Sequence, residues 1–215
     1  MKTRIILSAL LAVVSFSACT VWGVRGNGRL KDQNRNIEEF SRIDAGGAFT
    51  IKVYVGKAPS LQINAEENLL QYIKTSVKGG TLYIDTKKNL NPKKDIELRI
   101  TTPSLRSIEI SGANDVEVVG INEKEFSADL SGAGNIDLKG IADRFRAELS
   151  GAGNIDAREL KAKDVVISVS GAASADVYAK ESLDASVSGV GSIDYYGNPE
   201  KTRTNVSGVG SISRK

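Results

Sequence analysis

The side chains best placed for chemistry in this chain of 215 residues are five acids that recur at near-regular spacing: Glu117, Asp137, Asp156, Asp176 and Asp194. Each follows an apolar residue, in order Val116, Ile136, Ile155, Ala175 and Ile193. An array of carboxylates offers the hard oxygen ligands that suit Ca²⁺. A pair at the right separation is also the apparatus of a glycosidase. A second array is made of serines, Ser111, Ser131, Ser150, Ser170, Ser188 and Ser207. Their hydroxyls are candidates for a glycan-binding row, or for turn positions that bond local backbone, which is the commoner use of a serine beside a glycine. Nothing in the chain activates them. Histidine is absent, which excludes Ser-His-Asp and Cys-His catalysis and any His-ligated metal. No serine lies in a Gly-x-Ser-x-Gly elbow. Pairs such as Gly132 and Gly134 lack the third glycine and the following helix of a dinucleotide site. The single cysteine, Cys19, excludes an intrachain disulfide and a multi-Cys zinc site. No cofactor is expected.

These residues belong to a repeat, and the repeat dictates the elements that carry them. Each serine is followed by a glycine, Gly112, Gly132, Gly151, Gly171, Gly189 and Gly208, at spacings of 20, 19, 20, 18 and 19 residues. On both sides of the Ser-Gly pair the chain alternates with period two. Phe126, Ala128 and Leu130 alternate with Ser127, Asp129 and Ser131, and Ile136 and Leu138 with Asn135, Asp137 and Lys139. That is the signal of a half-buried strand. Each unit therefore reads as strand, glycine turn, strand. A propeller blade needs about twice this length, whereas a solenoid coil fits. Stacked coils place equivalent residues in ladders about 4.8 Å apart. The glycine column points either to positive φ or to a corner too crowded for a Cβ.

The expected fold is an all-β parallel solenoid with coils of about 19 residues. Residues 104–213 supply six Ser-Gly repeats, and residues 37–103 a less regular β-rich cap, together one domain spanning 37–215. Within the cap, Leu69, Leu70 and Ile73 in Glu66–Lys74 have helical spacing and predict one short helix. In the repeats Ile136 and Leu138 must face the core, so the acids point outward. Neighbouring like charges at ladder spacing repel by about 1 kcal/mol in water. Lys139 and Arg158 are the expected offsets, with Ca²⁺ as the alternative and its binding expected to be weak.

The N-terminus carries an address. Lys2 and Arg4 precede an apolar run from Ile5 to Val14, then small residues to Ala18. This is the layout of a secretory signal over residues 1–18. Phe16-Ser17-Ala18-Cys19 resembles the lipobox of bacterial lipoproteins, which implies that Cys19 becomes the acylated first residue and that membrane is a partner. Residue 20 is Thr, which in Gram-negative lipoproteins implies outer-membrane sorting. Residues 19–36 are polar, aperiodic and glycine-containing and read as a tether. Of 29 Lys and Arg, two lie in the signal; the remaining 27 against 26 acids leave no basic excess for nucleic acid.

The copies SGAGNID at 131–137 and 150–156, with SGVGSID at 188–194, resemble the head-GIN-domain family of auto-transporter adhesins. Phe40-Ser41-Arg42-Ile43 with Gly46-Gly47, and Glu67-Asn68-Leu69-Leu70 followed by Gly80-Thr81-Leu82, are similar to the family's opening. The resemblance covers residues 37–213. It implies a right-handed β-helical body, a cell-envelope location and an adhesive, non-catalytic role toward an unspecified glycan or protein ligand. The alternatives are a structural or stress-associated envelope scaffold and a carbohydrate-active β-helix enzyme.

Overall fold

The computed structural model describes residues 23–215. The signal segment, Cys19 and the first residues of the tether lie outside them. From Ser107 onward the chain winds as a parallel β-solenoid. Ala113–Leu130, Ala133–Leu149 and Ala152–Val169 are three consecutive strands, each a full coil. They pair in parallel along nearly their whole length, Ile136 on Ile155 and Phe145 on Val165, for example. Ser174–Gly189 continues the stack. The next coil is split into Ser192–Tyr196 and Lys201–Gly208, and Ser211–Arg214 begins one more on top of Ser192–Tyr196.

Each coil has two straight runs and two corners. One corner is the Ser-Gly pair. The other is where the register slips, between Val119 and Ile121 and again between Asp137 and Lys139. Alternation on each run sends one set of side chains into a single continuous core. In the repeats many of these are small, including Ala128, Ala147, Ala175 and Ala185, so the coil is thin. Phe126 and Phe145 stack inside it with ring centroids 6.1 Å apart.

Both proposed reasons for the glycine column are present, but only crowding is common to all six. Gly112, Gly189 and Gly208 have positive φ; Gly132, Gly151 and Gly171 do not. At every one, an added Cβ would press on backbone of the preceding coil: on Gly47 for Gly112, and on the preceding glycine of the column for the other five. The backbones meet at this corner too closely for any side chain.

The cap extends the same two faces with mixed strand directions. Thr50–Val55 and Arg42–Ala45 pair in parallel with the first coils. Beyond them Ser60–Glu66 runs antiparallel to Glu97–Thr102, and Ile73–Lys78 antiparallel to Thr81–Thr86. Reversed strands thus interrupt the parallel stack on both faces, Ser60–Glu66 on one and Ile73–Lys78 on the other. Two expectations are corrected here. The helix over 66–74 is a single 3-10 turn, Leu70–Tyr72, between two strands. Leu69, Leu70 and Ile73 are buried all the same, so the spacing that looked helical reports burial across a sharp bend. The tether is also shorter than expected. Val24–Arg25 pairs in parallel with Leu90–Asn91, and Leu30–Arg35 antiparallel with Leu61–Glu66. Polar composition hid these strands, since Leu30–Arg35 buries neither face and edge strands carry charge.

Candidate functional site

Two outward-facing columns run side by side along one face of the stack, separated by the buried column of Val116, Ile136, Ile155, Ala175 and Ile193. The first is Thr50, Asp115, Asn135, Asn154, Ser174, Ser192 and Ser211; the second is Lys52, Glu117, Asp137, Asp156, Asp176, Asp194 and Ser213. Residues two apart on a strand share a face, so the two columns must lie together. Between them is a shallow groove of about 650 Å³, running from Thr50 and Lys52 to Ser174 and Asp176.

The first column is a hydrogen-bonded ladder. Asn135 Nδ2 donates to Asp115 Oδ1 at 2.8 Å, Asn154 Nδ2 donates to Asn135 Oδ1 at 3.1 Å, and the Ser174 hydroxyl donates to Asn154 Oδ1. Each amide donates to one neighbour and accepts from the other, which fixes a row of short polar groups in one orientation. Ser174 closes the row where the sequence changes from Asn to Ser.

The second column is not uniform. Lys139 Nζ meets Glu117 Oε1 at 2.9 Å. Arg158 grips Asp156 through Nε at 2.9 and 3.1 Å and through Nη2. Lys215 reaches Asp194 at 3.1 Å. The acids between them, Asp137 and Asp176, lack a salt bridge among the described residues. Their protonation equilibria split accordingly. The Lys139 hydrogen bond lowers the Glu117 carboxyl and the Arg158 hydrogen bond lowers that of Asp156. Partial burial, and then the neighbouring Asp156 charge, push Asp137 up. Asp176 is also raised, by burial first, with Arg158 opposing and the charges of Asp156 and Asp194 adding. Lys139 and Arg158 thus occupy the offsetting positions expected of them, but each serves one rung rather than the whole column. Among the described residues, no group of three acids, cysteines or histidines has a geometry able to hold a metal ion.

The serine column stands on the Ser-Gly corner, exposed. Ser131 Oγ and Ser170 Oγ lie 3.5 and 3.4 Å from the carbonyls of Ile110 and Leu149 in the preceding coil. These long contacts are to backbone, as a turn position requires. Three site residues escaped sequence reasoning. Thr50 and Lys52 extend both columns into the cap, where the repeat signature is lost. The Tyr196 hydroxyl donates to Asp176 Oδ1 at 3.4 Å from a rung that holds Tyr178 one coil earlier, outside the repeat signature.

The face and fold can be set beside known proteins. The family model described as "putative auto-transporter adhesin, head GIN domain" matches residues 39–199. The chain belongs to this family. A crystal structure of a putative adhesin from Bacteroides fragilis is 29% identical, covers 90% of this chain and 100% of its own, and superposes with a TM-score of 0.75. A putative adhesin from Parabacteroides merdae is 19% identical, with 90% and 99% coverage and a TM-score of 0.53. A putative lipid binding protein from Parabacteroides distasonis is 24% identical, with 89% and 99% coverage and a TM-score of 0.51. The last two share the fold. No curated protein sequence matches the chain. As a head-GIN chain it carries the Gly-Asn-Ile signature at Gly134-Asn135-Ile136 and Gly153-Asn154-Ile155, which here supplies a crowded backbone, a ladder amide and a core residue in succession.

Proposed function

We propose that the chain is a non-catalytic binding module of the cell envelope, held to the outer membrane by acylated Cys19, with the two-column face as its ligand surface. The observation that carries this reading is the ladder from Asp115 to Ser174, which orders a row of short polar groups along successive coils. A polar, shallow, periodic groove suits an extended partner with its own repeat, such as a glycan or an extended peptide, rather than an enclosed small molecule, whose sites are mostly apolar and concave. Family membership supports an adhesive role, and the lipobox-like run at 16–19 supports the anchor. A glycan and matrix-protein binding array, combined with protease shaving of intact cells, tests the reading: an adhesin binds specific array members and is shaved, whereas a periplasmic scaffold does neither.

The enzyme alternative would have to use Asp137 and its ladder neighbour Asp156 as the pair of carboxylates, although Arg158 already holds Asp156. Turnover of polysaccharide substrates, abolished by Asp137→Asn, would establish that reading in place of ours.

A further inference from the structure

The end of the cap nearest the anchor carries a dense set of unpaired cations. Arg25 and Arg29 lie on the segment entering the fold, and Lys87, Lys88, Lys93 and Lys94 on the loops flanking Leu90–Asn91; all six are exposed. The two segments are stitched together. Val24 and Gly26 donate backbone N–H bonds to Asn89 and Asn91 at 2.8 and 3.0 Å. The buried Glu66 carboxylate accepts the Lys93 N–H at 2.7 Å and also that of Gly28. Asn68 accepts the Asn27 N–H and donates to the Arg25 carbonyl. Lys88 lies over the Tyr72 ring, 5.4 Å from its centroid. None of the six cations forms a salt bridge among the described residues. Of the nearby acids, Glu66 is buried on backbone donors and Glu67 pairs with Lys31 at 3.1 Å, which leaves Asp85 and Asp95 as the exposed acids close in sequence to Lys87 and Lys94. The repeats differ, since most salt bridges fall there.

We infer that this patch is a membrane-contact surface for anionic lipid headgroups, which stands the solenoid on its cap and directs the repeats away from the bilayer. The inference rests on the Cys19 anchor for its geometry. Gly23 is four residues beyond Cys19, and four residues span at most about 14 Å, so the patch cannot be far from an acylated Cys19. Basic side chains within a Debye length of an anionic surface are attracted to it, and a basic patch beside a lipid anchor is the usual second signal for firm attachment. Charge favours this occupant over another copy of the same surface, which would oppose six cations with six.

The test uses the full chain, purified from membranes and reconstituted into phosphatidylcholine vesicles or into phosphatidylethanolamine–phosphatidylglycerol vesicles. Amide exchange is followed at residues 24–29 and 87–94, with residues 201–214 as the distal control. Exchange at the patch should slow by about fivefold or more in the anionic vesicles alone, with no change at the distal coil. High salt should remove the effect. So should combined Arg25→Gln, Lys87→Gln, Lys88→Gln and Lys94→Gln, which leave the Lys93–Glu66 contact intact, at unchanged melting temperature. Equal exchange in both vesicle types, or protection appearing only when another envelope protein is added, overturns the inference. The anchor is read separately: failure to associate with phosphatidylcholine vesicles contradicts acylation, while salt-sensitive binding to anionic vesicles alone would still support the patch.

Discussion

The repeats and the cap build one core by different means. In the repeats the inward residues are often alanine, the corners are glycine, and stability depends on coils approaching until backbone touches backbone. In the cap the inward residues are large: Leu61, Ile63, Leu69, Leu82, Ile84, Leu98 and Ile100 are all fully buried. Strand direction changes there, and buried polar side chains fasten the segments. Asn114, 1% exposed, accepts the Phe49 N–H at 2.9 Å and donates to the Ser111 carbonyl at 2.6 Å, joining cap to first coil. A repeat can be stabilised by a backbone contact that recurs in every coil. A cap occurs once and needs side chains particular to each junction.

The contrast can be broken most severely at a corner. Gly132→Val places a side chain where the Gly112 carbonyl already sits, so two coils must separate; a loss of about 3 kcal/mol or more is expected in urea unfolding. Ala133→Val, at the adjacent exposed position where Val190 and Val209 already stand in later coils, should cost under about 1 kcal/mol. Equal losses for the two would mean that the corner is not a backbone contact.

The cap's dependence on side chains is sharpened by Glu66→Gln. Backbone N–H bonds and the Lys93 charge outweigh burial and hold the Glu66 carboxyl below its ordinary value. Its contribution is therefore present above the unfolded-state pKa and is lost as pH falls through the folded one. Removing the charge should cost about 1–3 kcal/mol and speed amide exchange at residues 24–29 while leaving the repeats unchanged. Global unfolding without this local signature would show that the cap and stack melt as one unit.

Smaller effects test the alternation on the acidic column. Asp156→Asn loses the Arg158 pair and should cost at most about 1 kcal/mol, whereas Asp137→Asn should be neutral or slightly stabilising. The expectation of a neutral change, which a uniform column would extend to Asp156, moves to Asp137 and Asp176, where partner cations are missing. The pH signs are opposite. The Asp156 contribution is present above its unfolded-state pKa and disappears as pH falls through the lowered folded one. The Asp137 penalty grows as pH rises from the unfolded-state pKa through the raised folded one. Thermal melts of both variants across the acid range would reveal this crossing, and parallel curves would contradict it. Smallest of all, millimolar Ca²⁺ should leave the melting temperature nearly unchanged, since three of the five acids already hold a cation. Tight stoichiometric binding by calorimetry, lost in Asp156→Asn, would make the column a metal site.

The same contrast explains what could be read from the chain. Six Ser-Gly pairs expose their spacing, and period-two alternation around Asp137 places it outward without any structure. The amide ladder is legible because Asn135 and Asn154 occupy the same place in consecutive copies. Thr50 and Lys52 were hidden because Gly46-Gly47 lies in a corner that lacks the serine. Leu30–Arg35 was hidden because an edge strand exposed on both faces has the composition of a linker. The opposite pKa shifts of Asp137 and Asp156 depend on which coil supplies Lys139 and Arg158, and that is a matter of side-chain reach across rungs rather than of pattern.

The central claim, that the two-column face is the ligand surface, is tested most directly by the binding array run with wild type and with Asn135→Arg plus Asn154→Arg. Both changes lie on exposed ladder positions, so the melting temperature should move by only a few degrees. The account predicts that wild type binds a defined set of glycans or matrix proteins and that the double variant loses at least about tenfold of that affinity, equivalent to about 1.4 kcal/mol. Undiminished binding by a folded double variant would place the ligand elsewhere on the molecule and contradict the account.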